Sequence, residues 1–215
     1  MNKPLTVSQQ AMDGLSKKDK RLGAYIASVG ELTREGIIDP YEALLDCIIA
    51  QQVSSKVAIT MSKRFFDKYP LGDPIRVAHD PIEELRSLGF SGSKASYLQG
   101  IAKIRSEGSI DFDQLGTKST QEIMDTLLPI KGIGRWTVEM LLIFTYEKQD
   151  VMSFGDLAIR RGIERIYHKK ECTKEFFDTL YQRYAPYQTA ASFYLWQASL
   201  SPVNIPYTSQ KTTRR

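Results

Sequence analysis

The sequence predicts an all-α protein of about ten helices, and three observations carry that expectation. Segment after segment sets its apolar residues at the three- and four-residue spacing of one helix face. Several segments open on a capping signal, Ser or Asp followed three residues later by Glu. No stretch alternates apolar and polar residues as a half-buried strand would.

The bulk numbers bound the rest. With 215 residues, 42% of them hydrophobic, the chain suits one large domain or two interlocked lobes. A formal charge of +4 and a pI near 8.9 lean mildly toward polyanionic partners. Cys47 and Cys172 are far apart, and only His79 and His168 could join them, so no Cys/His metal cage and no four-cysteine cluster can be assembled. So few cysteines fit a reducing, intracellular setting. MNKPLTVSQQ lacks the apolar core of a signal peptide, and the aliphatic stretch near MLLIF is too short to span a bilayer. A protein of the cytoplasm, or of the nucleus in a eukaryote, with no membrane partner, is the expectation.

Residues 1 to 15 are polar and weakly patterned and read as a loose lead-in. From Lys17 to Val29, Leu22, Tyr25, Ile26 and Val29 predict a short amphipathic helix. Asp39-Pro40-Tyr41-Glu42 is a helix start: Asp caps the orphan N–H groups, Pro fits the first turn, and Glu can complete a capping box. That helix runs through Leu44, Leu45, Ile48 and Ile49. Gln51 to Ser54 then interrupts the apolar pattern, and Ser54 can cap a helix carrying Val57, Met61, Phe65 and Phe66. Such a junction is either a tolerated turn or a projecting loop.

Asp73-Pro74 and Asp80-Pro81 repeat the start signal, the second with Glu83. A helix ending near Gly89, a small-residue loop and a helix bearing Tyr97, Leu98, Ile101 and Ile104 follow. Ser119 to Glu122 is another capping box. Past it, LAIRRGIERIY, KEFFDTLYQRY and TAASFYLWQASL all carry helical periodicity, and Pro202 to Arg215 reads as a basic tail.

The segment LLPIKGIGRWTVEM joins two helices through a glycine-bracketed turn. Pro129 stops the first helix, while Gly132 and Gly134 permit positive φ and let another backbone approach. The helix starting at Arg135 points its free N–H groups at whatever faces the turn. A phosphate is the natural occupant, helped by Lys131 or Arg135. Carbonyls near Ile130 and Ile133 could hold a monovalent cation, Na+ or K+, bridging to that phosphate; no other cofactor is expected. A glycine turn of this kind also serves αα-hairpins that bind nothing.

LPIKGIGRWT resembles the helix-hairpin-helix motif, matching its L-P-x-x-G-I-G-x-x-T form position by position. The motif implies non-specific contact with a DNA backbone, by the glycines, Thr137 and the basic pair. SFGDLAIRRGI in turn looks like the catalytic segment of the helix-hairpin-helix DNA glycosylase superfamily, in which an Asp opens a helix past the hairpin. Asp156 takes that position, where a plain N-cap is also chemically sound. DPYEALLDCIIAQQVSSKVA, LGFSGSKASYL and YAPYQTAASFYLW extend the likeness, to alkylbase DNA glycosylases of the 3-methyladenine DNA glycosylase II type in a short form without the N-terminal β domain.

The resemblance implies one glycosylase domain of two interlocked helical lobes with a cleft. Lobe one covers about 35–130, lobe two the N-terminal helix plus about 131–202, and 203–215 form the tail. Members that also cut the backbone carry a Schiff-base lysine just before the hairpin Thr. Here that residue is Trp136, which implies base removal alone. Asp156 would stabilise the sugar cation or orient water, and Trp136 and Trp196 would line a pocket for a flipped cationic base. Met140 and Leu157 hold further pocket positions that are aromatic in the larger bacterial relatives. Gln52 falls where the family inserts a side chain into the duplex, with Ser54 beside it, and Arg160, Arg161 and Arg165 would approach phosphates or form a solvated face.

The expected function is therefore a monomeric, monofunctional glycosylase that flips alkylated purines out of double-stranded DNA and hydrolyses the N-glycosidic bond in base excision repair. Its substrates would be 3-methyladenine first, then 7-methylguanine or ethenoadenine. A non-catalytic protein that binds damaged DNA through the hairpin stays open, as does a bifunctional glycosylase/lyase with its lysine elsewhere.

Overall fold

A computed structural model describes residues 2–200; the basic tail expected from Pro202 onward lies outside them. Among the described residues thirteen α-helices carry the fold, with one short sheet and one 3-10 turn at Pro70–Gly72. The all-α expectation holds at the level of fold class. The sheet corrects its detail: β1 (Asn2–Thr6) pairs with β2 (Thr33–Ile37). Thr6 and Thr33 hydroxyls meet at 2.8 Å, and Val7 N–H donates to Leu32 O at 2.9 Å. Both strands are largely polar and half exposed, so no apolar alternation announces them.

The lead-in is also more ordered than its composition suggests. α1 (Gln9–Lys18) is capped by Ser8 and buries Ala11, Met12 and Leu15. Gly14 lets the Tyr187 ring lie on it, since a Cβ there would come within 2.3 Å of that ring. α2 (Lys20–Val29) starts later than the periodicity implies, because Asp19 breaks the chain and caps it through Arg21 N–H and Leu22 N–H. Its other oxygen accepts from Arg183 at 2.6 Å.

The chain divides into two compact units. Of the described residues, the first joins 2–5 to Glu35–Lys148, and the second joins Thr6–Arg34 to 149–200. α3 (Pro40–Ala50) is the centre of the first unit, capped by Asp39 as expected and burying Tyr41, Leu44, Leu45, Ile48 and Ile49. Each such side chain contributes about 1.5–3 kcal/mol on burial. Around it pack α4 (Ser55–Lys68), α7 (Gly92–Ser106), the single turn α8 (Phe112–Leu115) and α10 (Arg135–Phe144), with α5 (Pro74–His79) and α6 (Ile82–Arg86) laid on α7. α9 (Thr120–Leu127) opens on the expected capping box of Ser119 and Glu122.

Asp80 does not cap α6; Pro81 takes that place with no side-chain bond. The Asp80 carboxylate accepts from Tyr69 OH at 3.0 Å instead. The division between units falls at Lys148 rather than near residue 130, because α10 buries Val138, Leu141, Leu142 and Ile143 and packs on α3 and α9. Gly36 brings β2 against the end of α10, where a Cβ would lie 2.4 Å from Phe144 O.

The second unit is built on α11 (Leu157–Tyr167) and α13 (Gln188–Leu200), joined by α12 (Lys174–Tyr184). At Gly162 a Cβ would come within 2.1 Å of Leu195 O, so α11 and α13 touch backbone to backbone. Arg165 is exposed and also donates to Ala198 O at 2.9 Å, tying these helices together.

Candidate functional site

In the first unit, α9 ends at Leu127 and the chain turns through Pro129 to Gly134 into α10. Ile133 N–H donates to Ile130 O at 3.0 Å and closes the turn, while the Ile133 side chain is buried as its anchor. The two glycines differ. Gly132 has φ +91, as expected, and a Cβ there would lie 2.3 Å from the Tyr97 ring. Gly134 has φ −97, not the positive value its glycine suggests, and a Cβ there would meet nothing within 4 Å. The fold therefore needs glycine at 132. At 134 the protein itself makes no such demand, and room for an approaching ligand is what a side chain would remove.

Gly134 is the N-cap of α10, and no side chain bonds into this helix start. The first intrahelical bond is Val138 N–H to Gly134 O at 3.1 Å, so the N–H groups before it have no partner within the helix. Gly134, Arg135 and Lys131 are exposed, Trp136 is half-buried and Thr137 buried. Arg135 Nε pairs with the buried Glu139 at 3.0 Å. The turn thus presents partial positive charge and two basic side chains to solvent, the requirement for holding an anion. Met140 lies deeper along the same helix, 7% exposed.

The α3–α4 junction is in the same unit. Gln52 is exposed with φ +57, a left-handed conformation that costs a non-glycine residue about 1–2 kcal/mol. Ser54 caps α4 as expected, accepting from Val57 N–H at 3.4 Å. Sequence reasoning missed the supports behind these turns. Gln51 Nε2 donates to Gly132 O at 3.0 Å and to Thr137 Oγ1 at 3.3 Å. Lys94 Nζ donates to Ile49 O at 2.7 Å and Gln51 O at 2.9 Å. No local pattern signals such contacts, because they join residues far apart in sequence.

In the second unit, Asp156 is the N-cap of α11. Its Oδ1 accepts from Ala158 N–H at 2.8 Å and Ile159 N–H at 3.1 Å, and the residue is partly exposed. Leu157 beside it is 50% exposed. Arg160 lies over the Phe154 ring at 5.5 Å, its Nε buried without a hydrogen-bond acceptor, and Lys174 approaches the same ring at 5.7 Å. Arg161 is exposed. Trp196 is half-buried on α13, 6.0 Å from the Phe193 ring. Among the described residues no group of three or more His, Cys, Asp or Glu is placed to hold a metal, and no helix is long and apolar enough to cross a membrane.

A glycine hairpin entering an uncapped helix, followed by a carboxylate at the next helix start, defines a class that comparison makes explicit. Residues 45–186 match the family of HhH-GPD superfamily base excision DNA repair proteins, and the chain belongs to that family. It is 35% identical over 202 residues to DNA-3-methyladenine glycosylase 1 of Schizosaccharomyces pombe, covering 91% of this chain and 88% of that protein. The structure of a 3-methyladenine DNA glycosylase of the same yeast, in complex with abasic DNA, superimposes with a TM-score of 0.81 at 34% identity, over 88% of this chain and 96% of the other. A DNA-3-methyladenine glycosidase structure from Bacillus halodurans gives 0.81 at 28% identity, over 93% of each chain.

Proposed function

We propose that this protein is a monofunctional DNA glycosylase that removes alkylated purines, 3-methyladenine first among them, from double-stranded DNA in base excision repair. The observation that carries the reading is Asp156, a partly exposed carboxylate at a helix start in a chain that also holds an uncapped helix-hairpin-helix turn. The names of its relatives favour alkylated bases as the substrate class.

In this reading the N–H groups at the start of α10, with Lys131, Arg135, Gly132, Gly134 and Thr137, grip a phosphate on the DNA backbone. Gln52, with Ser54 beside it, enters the duplex where the target base has left, and Arg160 and Arg161 meet further phosphates. Trp136, Trp196, Met140 and Leu157 line the base pocket, the two indoles favouring a cationic ring. A monovalent cation on carbonyls near Ile130 and Ile133 suits their neutral oxygens and would help bind the phosphate.

The bond from the sugar C1′ to the purine nitrogen breaks with its electron pair leaving on the base, which neutralises an alkylated purine that started as a cation. The Asp156 carboxylate stabilises the positive charge developing on the sugar and orients the water that captures it, and that water gives up a proton. No amine stands at Trp136 to form a Schiff base, so the product is an abasic site in an unbroken strand. The protein acts as a monomer, in the cytoplasm or nucleus where the genome is.

The test is incubation of the protein with methylated duplex DNA, measuring free base, abasic sites and strand breaks together. Released 3-methyladenine with alkali-dependent breaks alone is expected. Tight binding to damaged duplex with no abasic sites would instead support a passive damage-binding protein, and a borohydride-trapped adduct would support a lyase.

A further inference from the structure

We propose that Gln51 is a positioning residue that couples the projecting Gln52 turn to the phosphate-gripping hairpin, with Lys94 as its anchor. The inference rests on the roles proposed above for Gln52 and the hairpin and adds the link between them.

Gln51 leaves α3 as its C-cap, with ψ 133, and its side chain spans to the hairpin. Gly132 O can only accept, so the end of the amide that faces it must be the NH2 group, and that group's two protons serve two acceptors. One is Gly132 O, in the turn itself, and the other is Thr137 Oγ1, in the first turn of α10. A single side chain therefore bridges the glycine turn and the start of α10.

The same residue is fixed from behind. Lys94 places its ammonium on Ile49 O and Gln51 O, carbonyls at the end of α3 where the helix dipole is negative. Lys94 shares α7 with Tyr97, whose ring rests on Gly132. One face of α7 thus holds the α3 terminus through Lys94 and the hairpin through Tyr97, and Gln51 closes the loop between them. Gln52 follows directly in its left-handed conformation, which persists only where its flanks are held. Gln51 holds the leading flank and the Ser54 cap the trailing one. A shift of the hairpin on seizing a phosphate reaches Gln52 through one peptide unit.

The experiment uses the full chain and a duplex with an abasic site flanked by 2-aminopurine, whose fluorescence rises when Gln52 enters the stack; no catalysis is needed. Gln51→Met keeps the length and removes the donor. Expected is a loss of most of the fluorescence rise, with affinity for undamaged duplex within about twofold of wild type. Gln52→Ala should show a similar loss, and the double variant no more than either single one, because both act on one event. Losses that multiply in the double variant, or an unchanged rise in Gln51→Met with only the unfolding temperature lowered, would overturn the coupling and leave Gln51 a structural staple. Where Gln51→Met does not fold, Thr137→Val removes one of the two acceptors and should give a smaller loss in the same direction; an unchanged signal there overturns the proposal. Absence of base release by wild type would count against the glycosylase reading alone, since this signal arises on DNA that is already abasic.

Discussion

The starts of α10 and α11 are the same physical object finished in opposite ways. Each is a helix N-terminus with orphan N–H groups and the positive end of a dipole. At α11 the chain satisfies them itself, since Asp156 takes two N–H groups on Oδ1. At α10 it supplies no side-chain cap, and a glycine stands where a cap residue would. A helix end left without a side-chain cap can receive an outside anion, whereas an end closed by a carboxylate fixes that carboxylate in place. In the proposed function the first device holds DNA and the second holds the group that acts on it.

The largest effects are expected at the hairpin. Gly132→Ala puts a methyl into the Tyr97 ring at a positive φ, so a loss on the order of 2 kcal/mol or more is expected in urea unfolding. DNA affinity should fall with it by roughly a hundredfold, read by fluorescence anisotropy at fixed salt. Gly134→Ala separates binding from folding. Its Cβ meets nothing in the protein, so stability should hold, while affinity for undamaged duplex falls roughly tenfold as the methyl stands in the path of the phosphate. Equal losses of stability in the two variants would contradict the distinction between them.

The smallest effect concerns Cys172, behind α11. Burial, helped by the charge of Glu164 and opposed by that of Arg160, pushes its thiol up to about 11 from an ordinary 9.0. The folded protein keeps this proton where the unfolded chain has lost it. The resulting stability is complete below the unfolded value and is lost as pH rises through the folded one. Cys172→Ala should therefore lose less stability than wild type between about pH 9 and about pH 11, measured as urea midpoints. An unchanged slope would show that the thiol does not titrate in this way.

Much of this was legible in the sequence, and the legible part was local. The Asp39, Ser54 and Ser119 caps need only residues within one turn of one another, and so does the glycine hairpin. Asp156 was readable as a cap from its neighbours, and as a candidate catalytic carboxylate only through the family likeness. What stayed hidden depends on distant chain. β1 and β2 are polar and find each other across the two N-terminal helices. Gly14 in α1 looks like a helix breaker until the Tyr187 ring lies on it. Asp80 has the spacing of a cap but bonds to Tyr69. Gln51, Lys94 and Tyr97 bear on the hairpin only once α3 and α7 are packed. Arg165 reads as one of a basic series, and its bond to Ala198 O shows only once α11 and α13 are packed.

Asp156→Asn isolates the charge of the carboxylate, because asparagine caps a helix about as well as aspartate and removes only that charge. The measurement is the single-turnover rate of 3-methyladenine release from duplex DNA, taken on the same sample as its thermal unfolding. An unfolding temperature close to that of wild type and a rate lowered by roughly a hundredfold or more are expected. A variant that folds as well and releases base as fast would leave Asp156 a helix cap and nothing else.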